Sequence, residues 1–377
     1  MRRSKSASVT KRNEVKCAGT GGMSERKSAM IWIRADGGKE IGTGHIMRCL
    51  SIADALRQLG EQVCFLLADT AVVPILEKRM QQYRVLDSSW RNPETEFARL
   101  REMFKGGGGD VFLADSYFVT AEYLGRVREY MPVCYVDDMG IRDLPVDLLI
   151  NYNIFADRAI YGLGETEGST AYLLGTEYAP LRREFQGIPY EVRKQARKVL
   201  LTTGGSDRYN LAGRILELAL KDPVAGQMEY CVVSGAYNEY LPGLRLLESA
   251  NENIHVYSNV ECMWELMQSC DIAVTAGGST MYELSAVGVP MICFSFVDNQ
   301  ERIVEGFRRR ELVCYGGDYL AQGEQMLAEV VENIARLRQS RELRAHYSVR
   351  QRQLVDGKGA LRIAGKLRDM AAGQRKA

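Results

Sequence analysis

The chain is predicted to be an α/β protein built from two doubly wound domains that face each other across a cleft. Its 377 residues favour two domains, at about 150 residues each. Short apolar runs alternate with amphipathic stretches of helical length, the pattern of βαβ units and a parallel sheet. The same pattern starts afresh after the charged stretch VRKQARK at 192–198. The predicted division is a basic extension over 1–29, a first domain over 30–190, and a second over 191–377 that includes the terminal helices.

IWIRA (31–35) reads as a strand, leading through a glycine-rich loop to a helix over about 45–59. Strand 63–68, helix 72–82, strand 83–86 and helix 94–105 follow, the last ended by the Gly106–Gly109 run. Strand 110–114, a helix near 120–130, and strands 133–137 and 147–151 complete the first half. In the second half, VLLTT (199–203) precedes a helix over 209–220, with strands near 228–233, 253–257, 271–275, 289–294 and 312–315. Residues 323–373 read as helical, interrupted at Gly357–Gly359. Ligands of such sheets bind beyond the carboxyl ends of the strands.

Composition removes several classes of function. Hydrophobic residues are 46% and charged residues 26%, and 49 basic against 48 acidic side chains leave a net charge of +1. That balance lacks the electrostatic footprint of a nucleic-acid or membrane-surface binder. No apolar run approaches the roughly 18 residues of a membrane span. The nine cysteines form no C-x-x-C pair, and several sit in apolar runs, as Cys64 and Cys293 do. They read as buried hydrophobes in a reducing cytoplasm. Residues 1–29 carry eight basic and two acidic residues and no apolar h-region. That is a disordered tail and no secretory signal, or a stretch upstream of a true start at Met23 or Met30. Structure is expected from Met30.

Three loops could carry chemistry. In the first, Arg34-Ala-Asp36 leads through Gly42 and Gly44 to His45. The two glycines let the backbone turn and approach a ligand. His45 sits at the start of a helix, whose dipole disfavours the imidazolium and so suits a base. It is one of only three histidines, and a capping or packing role stays open. Position 47 is Met, so no G-x-G-x-x-G fingerprint exists. Gly204-Gly205-Ser206 and Gly277-Gly278-Ser279-Thr280 each follow a strand and open a helix. They read either as tight turns or as anion sites for a diphosphate. Glu283 suits the two hydroxyls of a ribose, or equally a capping box with Ser279 or Thr280. Asp115 and the Asp137-Asp138 pair end strands, and Asp36, Asp115 or Asp137 could orient His45. Neither a metal nor another cofactor is expected.

The stretch RADGGKEIGTGHIMRCLSIADAL (34–56), with VDD at 136–138 and LIN at 149–151, resembles the opening half of the PseG family. YLLGTEYAPLRREF (172–185), TTGGSD (202–207), AGGSTMYEL (276–284) and GVPMICFSFVDNQ (288–300) continue the likeness over about 30–355. The second-half motifs also resemble the nucleotide-binding half of MurG-like glycosyltransferases, which implies two Rossmann-like domains of the GT-B type and a UDP ligand. The PseG family hydrolyses UDP-2,4-diacetamido-2,4,6-trideoxy-β-L-altropyranose in pseudaminic acid biosynthesis. The resemblance therefore implies C–O cleavage to free sugar and UDP, with His45 as the catalytic base. Tyr117 would lie near the sugar, with Arg34, Asp36 and Gly44 beside it. Gly277, Gly278, Ser279 and Thr280 with Glu283 would hold the diphosphate and ribose, and Gly204 and Gly205 are counted among the substrate-binding candidates on their turn alone. Asn299 and Gln300 would contact the sugar–phosphate region. The expected partner is the UDP-sugar alone, bound by a cytoplasmic monomer. The rivals are a GT-B glycosyltransferase, a UDP-sugar epimerase and a non-catalytic UDP-sugar binding protein.

Overall fold

The computed structural model describes residues 28–105, 109–163, 169–235 and 237–374. Residues 1–27 of the predicted extension over 1–29, and the glycines 106–108, lie outside the described residues. Two parallel sheets dominate. The first holds β1 (Met30–Ala35), β2 (Gln62–Leu67), β3 (Gln82–Val85), β4 (Val111–Asp115), β5 (Val133–Val136), β6 (Leu148–Asn151) and β7 (Ala171–Leu174) in the order β3-β2-β1-β4-β5-β6-β7. The second holds β8 (Lys198–Thr202), β9 (Glu229–Ser234), β10 (Ile254–Ser258), β11 (Ile272–Ala276), β12 (Met291–Ser295) and β13 (Cys314–Asp318) in the order β10-β9-β8-β11-β12-β13. In each sheet the chain reverses its direction of travel beside the first strand. That leaves a crevice at the carboxyl ends of β1 and β4, and another at those of β8 and β11.

The alternation of side chains along a strand sets the layers. On β1, Ile31, Ile33 and Ala35 join the core beneath the helix Gly44–Gln58, while Trp32 faces the opposite core with Phe112 and Tyr123. The parallel strands are buried on both faces, so they read as continuous apolar runs such as VCFLL and MICFS.

Two features differ from the sequence reading. Strand β7 was not expected; it is an edge strand whose four residues are only partly buried. The last helix, Gly359–Gln374, was grouped with the second domain but packs on the first. Its Ile363, Ala364 and Leu367 share a core with Ile46 and Leu50 of the helix Gly44–Gln58, and Met370 reaches Cys134 of β5. Gly359 makes this return possible, because a Cβ there would lie 2.2 Å from the Ala179 carbonyl oxygen. That core continues into the second lobe through Leu200, Met281 and Tyr282. Among the described residues no helix is long and apolar enough to cross a membrane.

Candidate active site

The loop after β1 is closed on itself. Gly38 and Gly42 exchange backbone hydrogen bonds of 2.9 and 2.8 Å, and Gly42 has φ of 75°, a value that glycine adopts without strain. The chain then enters the helix Gly44–Gln58 with His45 as its second residue. His45 is nearly buried, and its Nδ1 lies 2.6 Å from Oδ1 of Asp115 at the end of β4. A carboxylate only accepts, so this contact is an N–H donated by Nδ1; Arg48 Nη2 also lies 3.0 Å from the same nitrogen. Nε2 has no partner among the described residues. The Tyr117 ring meets the imidazole edge-on at 4.5 Å.

Asp115 is held as a carboxylate. Burial alone would raise its pKa, but Arg48 and then His45 override that and hold it well below the usual range. Arg48 donates from Nε to Oδ2 and from Nη2 to Oδ1 of Asp115, both at 2.5 Å. Its Nη1 reaches Asp138 at 2.7 Å and the Tyr152 hydroxyl at 2.8 Å. Residues 45 and 48 are one helical turn apart, so one face of the helix delivers both groups to the ends of β4 and β5. The Cys49 thiol adds a contact of 3.3 Å to Asp115.

Of the three aspartates that could orient His45, the geometry selects Asp115. Asp137 is occupied by the backbone N–H groups of Met139, Gly140 and Ile141 and by the Tyr161 hydroxyl. Asp36 pairs with Arg34, and its second oxygen is buried without a partner. Asp138 joins the site instead, taking Arg48, Tyr117 at 3.2 Å and Asn153 at 3.1 Å.

Several predicted binding residues are committed elsewhere. Arg34 is fully buried and points away from the helix Gly44–Gln58, bonded to Glu96 at 2.8 and 3.1 Å and to Asp36 at 2.5 Å. It secures the sheet and offers nothing to a ligand. The helix after Gly204 and Gly205 begins at Leu211, and Asp207 already takes the N–H groups of Leu211 and Ala212 at 2.7 and 3.0 Å. That helix end is capped from within, so it is no anion site. Gly205 serves packing too: its carbonyl accepts from Tyr237, and a Cβ on Gly235 would fall 2.4 Å from both loop carbonyls. Gln300 spends its Oε1 on the Phe296 N–H at 3.1 Å. The Asn299 side chain lies outside what the structure describes. Gly44 faces open space, as a ligand-approach residue requires.

The loop after β11 behaves differently. Gly277 donates to Phe294 and is pressed against Gln300 and Val304, where a Cβ would lie 2.9 and 2.7 Å away. The helix Thr280–Val287 then starts without a side-chain cap at Ser279. The N–H groups of Gly278, Ser279 and Thr280 have no partner among the described residues, and Gly278 faces open space. The absent cap removes the capping-box role for Glu283. Its carboxyl is mostly buried, with Arg182 3.8 Å away, and burial pushes its pKa up to about 7 despite that arginine.

The fold and this cleft place the chain in the GT-B class: two Rossmann-like domains whose strand ends face each other. The crystal structure of Acinetobacter baumannii MurG is similar to it, with a TM-score of 0.63 and 14% identity over 90% of this chain and 99% of that one. Among curated relatives, the spore coat polysaccharide biosynthesis protein SpsG of Bacillus subtilis is 27% identical over 90% of this chain and 98% of its own length. An uncharacterized Methanocaldococcus jannaschii protein is 27% identical over 70% of this chain, which spans 54% of that relative. The UDP-2,4-diacetamido-2,4,6-trideoxy-beta-L-altropyranose hydrolase of Campylobacter jejuni is 22% identical, over 72% of this chain and 93% of its own. No protein-family model matches the chain.

Arg48, Asp138, Asn153 and Tyr282 were not given a role by the sequence. Asp138 stood in the strand-end pair Asp137-Asp138 and Arg48 in the G-x-G-H-x-x-R run from Gly42, but nothing in the sequence marked Asn153 or Tyr282.

Proposed function

We propose that the protein hydrolyses a UDP-sugar of the 2,4-diacetamido-2,4,6-trideoxy type, releasing free sugar and UDP. The observation that carries this reading is His45, with Nδ1 fixed by Asp115 and Nε2 free beside the half-exposed Tyr117. A ring so fixed is a general base for water. The water oxygen forms a bond to the anomeric carbon while Nε2 takes its proton. The bond from that carbon to the diphosphate oxygen breaks, its electron pair leaves with UDP, and configuration inverts. The open N–H groups of Gly278, Ser279 and Thr280 stabilise the charge that develops on the diphosphate. Release of UDP from the nucleotide sugar without any acceptor tests the reading, and strict dependence on an acceptor would make the protein a transferase.

Two variants or conditions probe the nucleotide side. Gly278→Ala is expected to leave the melting temperature unchanged, because no atom lies within 4 Å of the new methyl. The methyl would nonetheless fill space the diphosphate needs, weakening UDP binding about tenfold, a typical cost of overpacking a filled site. Calorimetric titration with UDP checks this, and unchanged affinity would move the diphosphate elsewhere. Glu283 supplies the pH dependence. Its ribose contact needs the carboxylate, and with a pKa of about 7 in the free protein the charged fraction grows from pH 6 to 8. UDP affinity is therefore expected to rise over that interval, and in Glu283→Gln the rise is expected to vanish.

A further inference from the structure

A continuous line of hydrogen bonds crosses the cleft from the second lobe to His45. It starts at Tyr282 in the first turn of the helix Thr280–Val287, whose N-terminal N–H groups are open. The Tyr282 hydroxyl accepts from the Ile154 N–H at 3.1 Å and donates to Asn153 Oδ1 at 3.3 Å. Asn153 Nδ2 donates to Asp138 Oδ1 at 3.1 Å, and the other oxygen of Asp138 takes Arg48 Nη1 at 2.7 Å. Arg48 Nη2 then reaches Asp115 Oδ1 at 2.5 Å, the atom that lies 2.6 Å from His45 Nδ1.

The line is built rather than incidental. Tyr282 is 1% and Asn153 3% exposed, so neither hydroxyl nor amide exchanges these partners for bulk water. Asn153 is fully spent: its Nδ2 also donates to Asn151 Oδ1 at 3.0 Å, which in turn accepts the Asn153 backbone N–H at the same distance. The segment that carries it is clamped by the second lobe. Arg310 donates to the Ile154 carbonyl at 3.1 Å, and Gly306 leaves room for the Ile154 side chain, whose Cγ2 would lie 2.5 Å from a Cβ there. Arg302 packs over Phe155 at 4.1 Å. A polar strand end of the first lobe is thus seated in the second.

We propose that Tyr282 and Asn153 are positioning residues that set the His45 base against the nucleotide-holding helix. They fix Asp138, which fixes Arg48 and so the Asp115–His45 pair, and the base is in register only when the two lobes are. This inference rests on the reading of the helix Thr280–Val287 as the diphosphate site.

The test uses the ring ¹⁵N and N–H signals of histidine, tractable because the chain has three histidines and His45→Gln assigns the one of interest. Tyr282→Phe keeps the ring packed against Tyr152 and Phe307, both at 5.6 Å, and removes only the hydroxyl. The variant is expected to melt as a cooperative unit yet show displaced His45 ring signals in the free protein. UDP is expected to move those signals in the wild type and to move them less in the variant. Turnover is expected to fall about tenfold, the scale of one net hydrogen bond, with KM nearly unchanged. Asn153→Ala should act alike, and the double variant should be no worse than the more severe single one, as members of one network behave. Superimposable His45 signals in free wild type and Tyr282→Phe would overturn the inference. If UDP leaves the wild-type spectrum and heat signal untouched, the diphosphate reading fails by itself, and the comparison of free proteins still decides the coupling.

Discussion

His45→Ala is expected to lower turnover of the nucleotide sugar by about 10²–10⁴-fold, the usual contribution of a positioned general base. The lost group is the ring that Asp115 holds by Nδ1 at 2.6 Å, with Arg48 keeping Asp115 charged. UDP affinity is expected to stay within about twofold, since His45 makes no contact with the Gly278–Thr280 N–H groups that would hold the diphosphate, and mutations at sites without shared partners add nearly independently. Asp115→Asn is expected to lose activity as well, because a neutral amide no longer compels the proton onto Nδ1, and Arg48 loses its carboxylate. Steady-state kinetics with parallel titration by UDP separate these effects. A His45→Ala variant as active as the wild type would remove the base from the account.

The largest effect on stability is expected at Arg34. It is fully buried, paired with Glu96 and Asp36, and Glu96 also accepts from Tyr123 at 2.5 Å and Ser88 at 2.9 Å. Burial works against the guanidinium, yet the two carboxylates outweigh it and raise its pKa. Arg34→Met leaves two buried carboxyl groups without their cation, and a stability loss of about 3–5 kcal/mol is expected. Arg34→Met combined with Glu96→Met should be less damaging than Arg34→Met alone, since it leaves one buried carboxylate without its cation, Asp36, where the single variant leaves two. Urea denaturation of the three proteins checks this. A single variant within about 1 kcal/mol of the wild type would show the pair to be energetically idle.

The fate of Arg34 illustrates what the sequence could convey. The run IWIRA fixes a strand by its apolar pattern, and its place before a glycine-rich loop marks a ligand end. Whether a charged residue at that end turns toward the cleft or the opposite core depends on the strand's partners. Here Glu96, more than sixty residues away, supplies the counter-charge. Both sheets were legible because parallel strands buried on two faces leave continuous apolar runs between turns. Strand β7 escaped because an edge strand of four half-buried residues leaves no such run. The return of Gly359–Gln374 to the first lobe escaped because an amphipathic helix specifies a buried face and not the surface that covers it.

The site divides in the same way. His45, Gly278 and Glu283 stand in glycine-rich loops or in the first turn of the helices that follow them, where spacing already suggests chemistry. Arg48 closes the G-x-G-H-x-x-R run, but its role shows only once β4 and β5 bring Asp115 and Asp138 to it. The two glycine turns of the second half looked equivalent, and only Asp207, folding back onto Leu211 and Ala212, separates a self-capped helix from an open one.

Incubation with UDP-2,4-diacetamido-2,4,6-trideoxy-β-L-altropyranose in ¹⁸O-water, without acceptor and followed by mass spectrometry, tests the central claim most directly. Attack on carbon by a water that His45 deprotonates predicts one ¹⁸O in the free sugar and none in UDP. Label in a phosphate product, or no turnover until an acceptor is added, would contradict it.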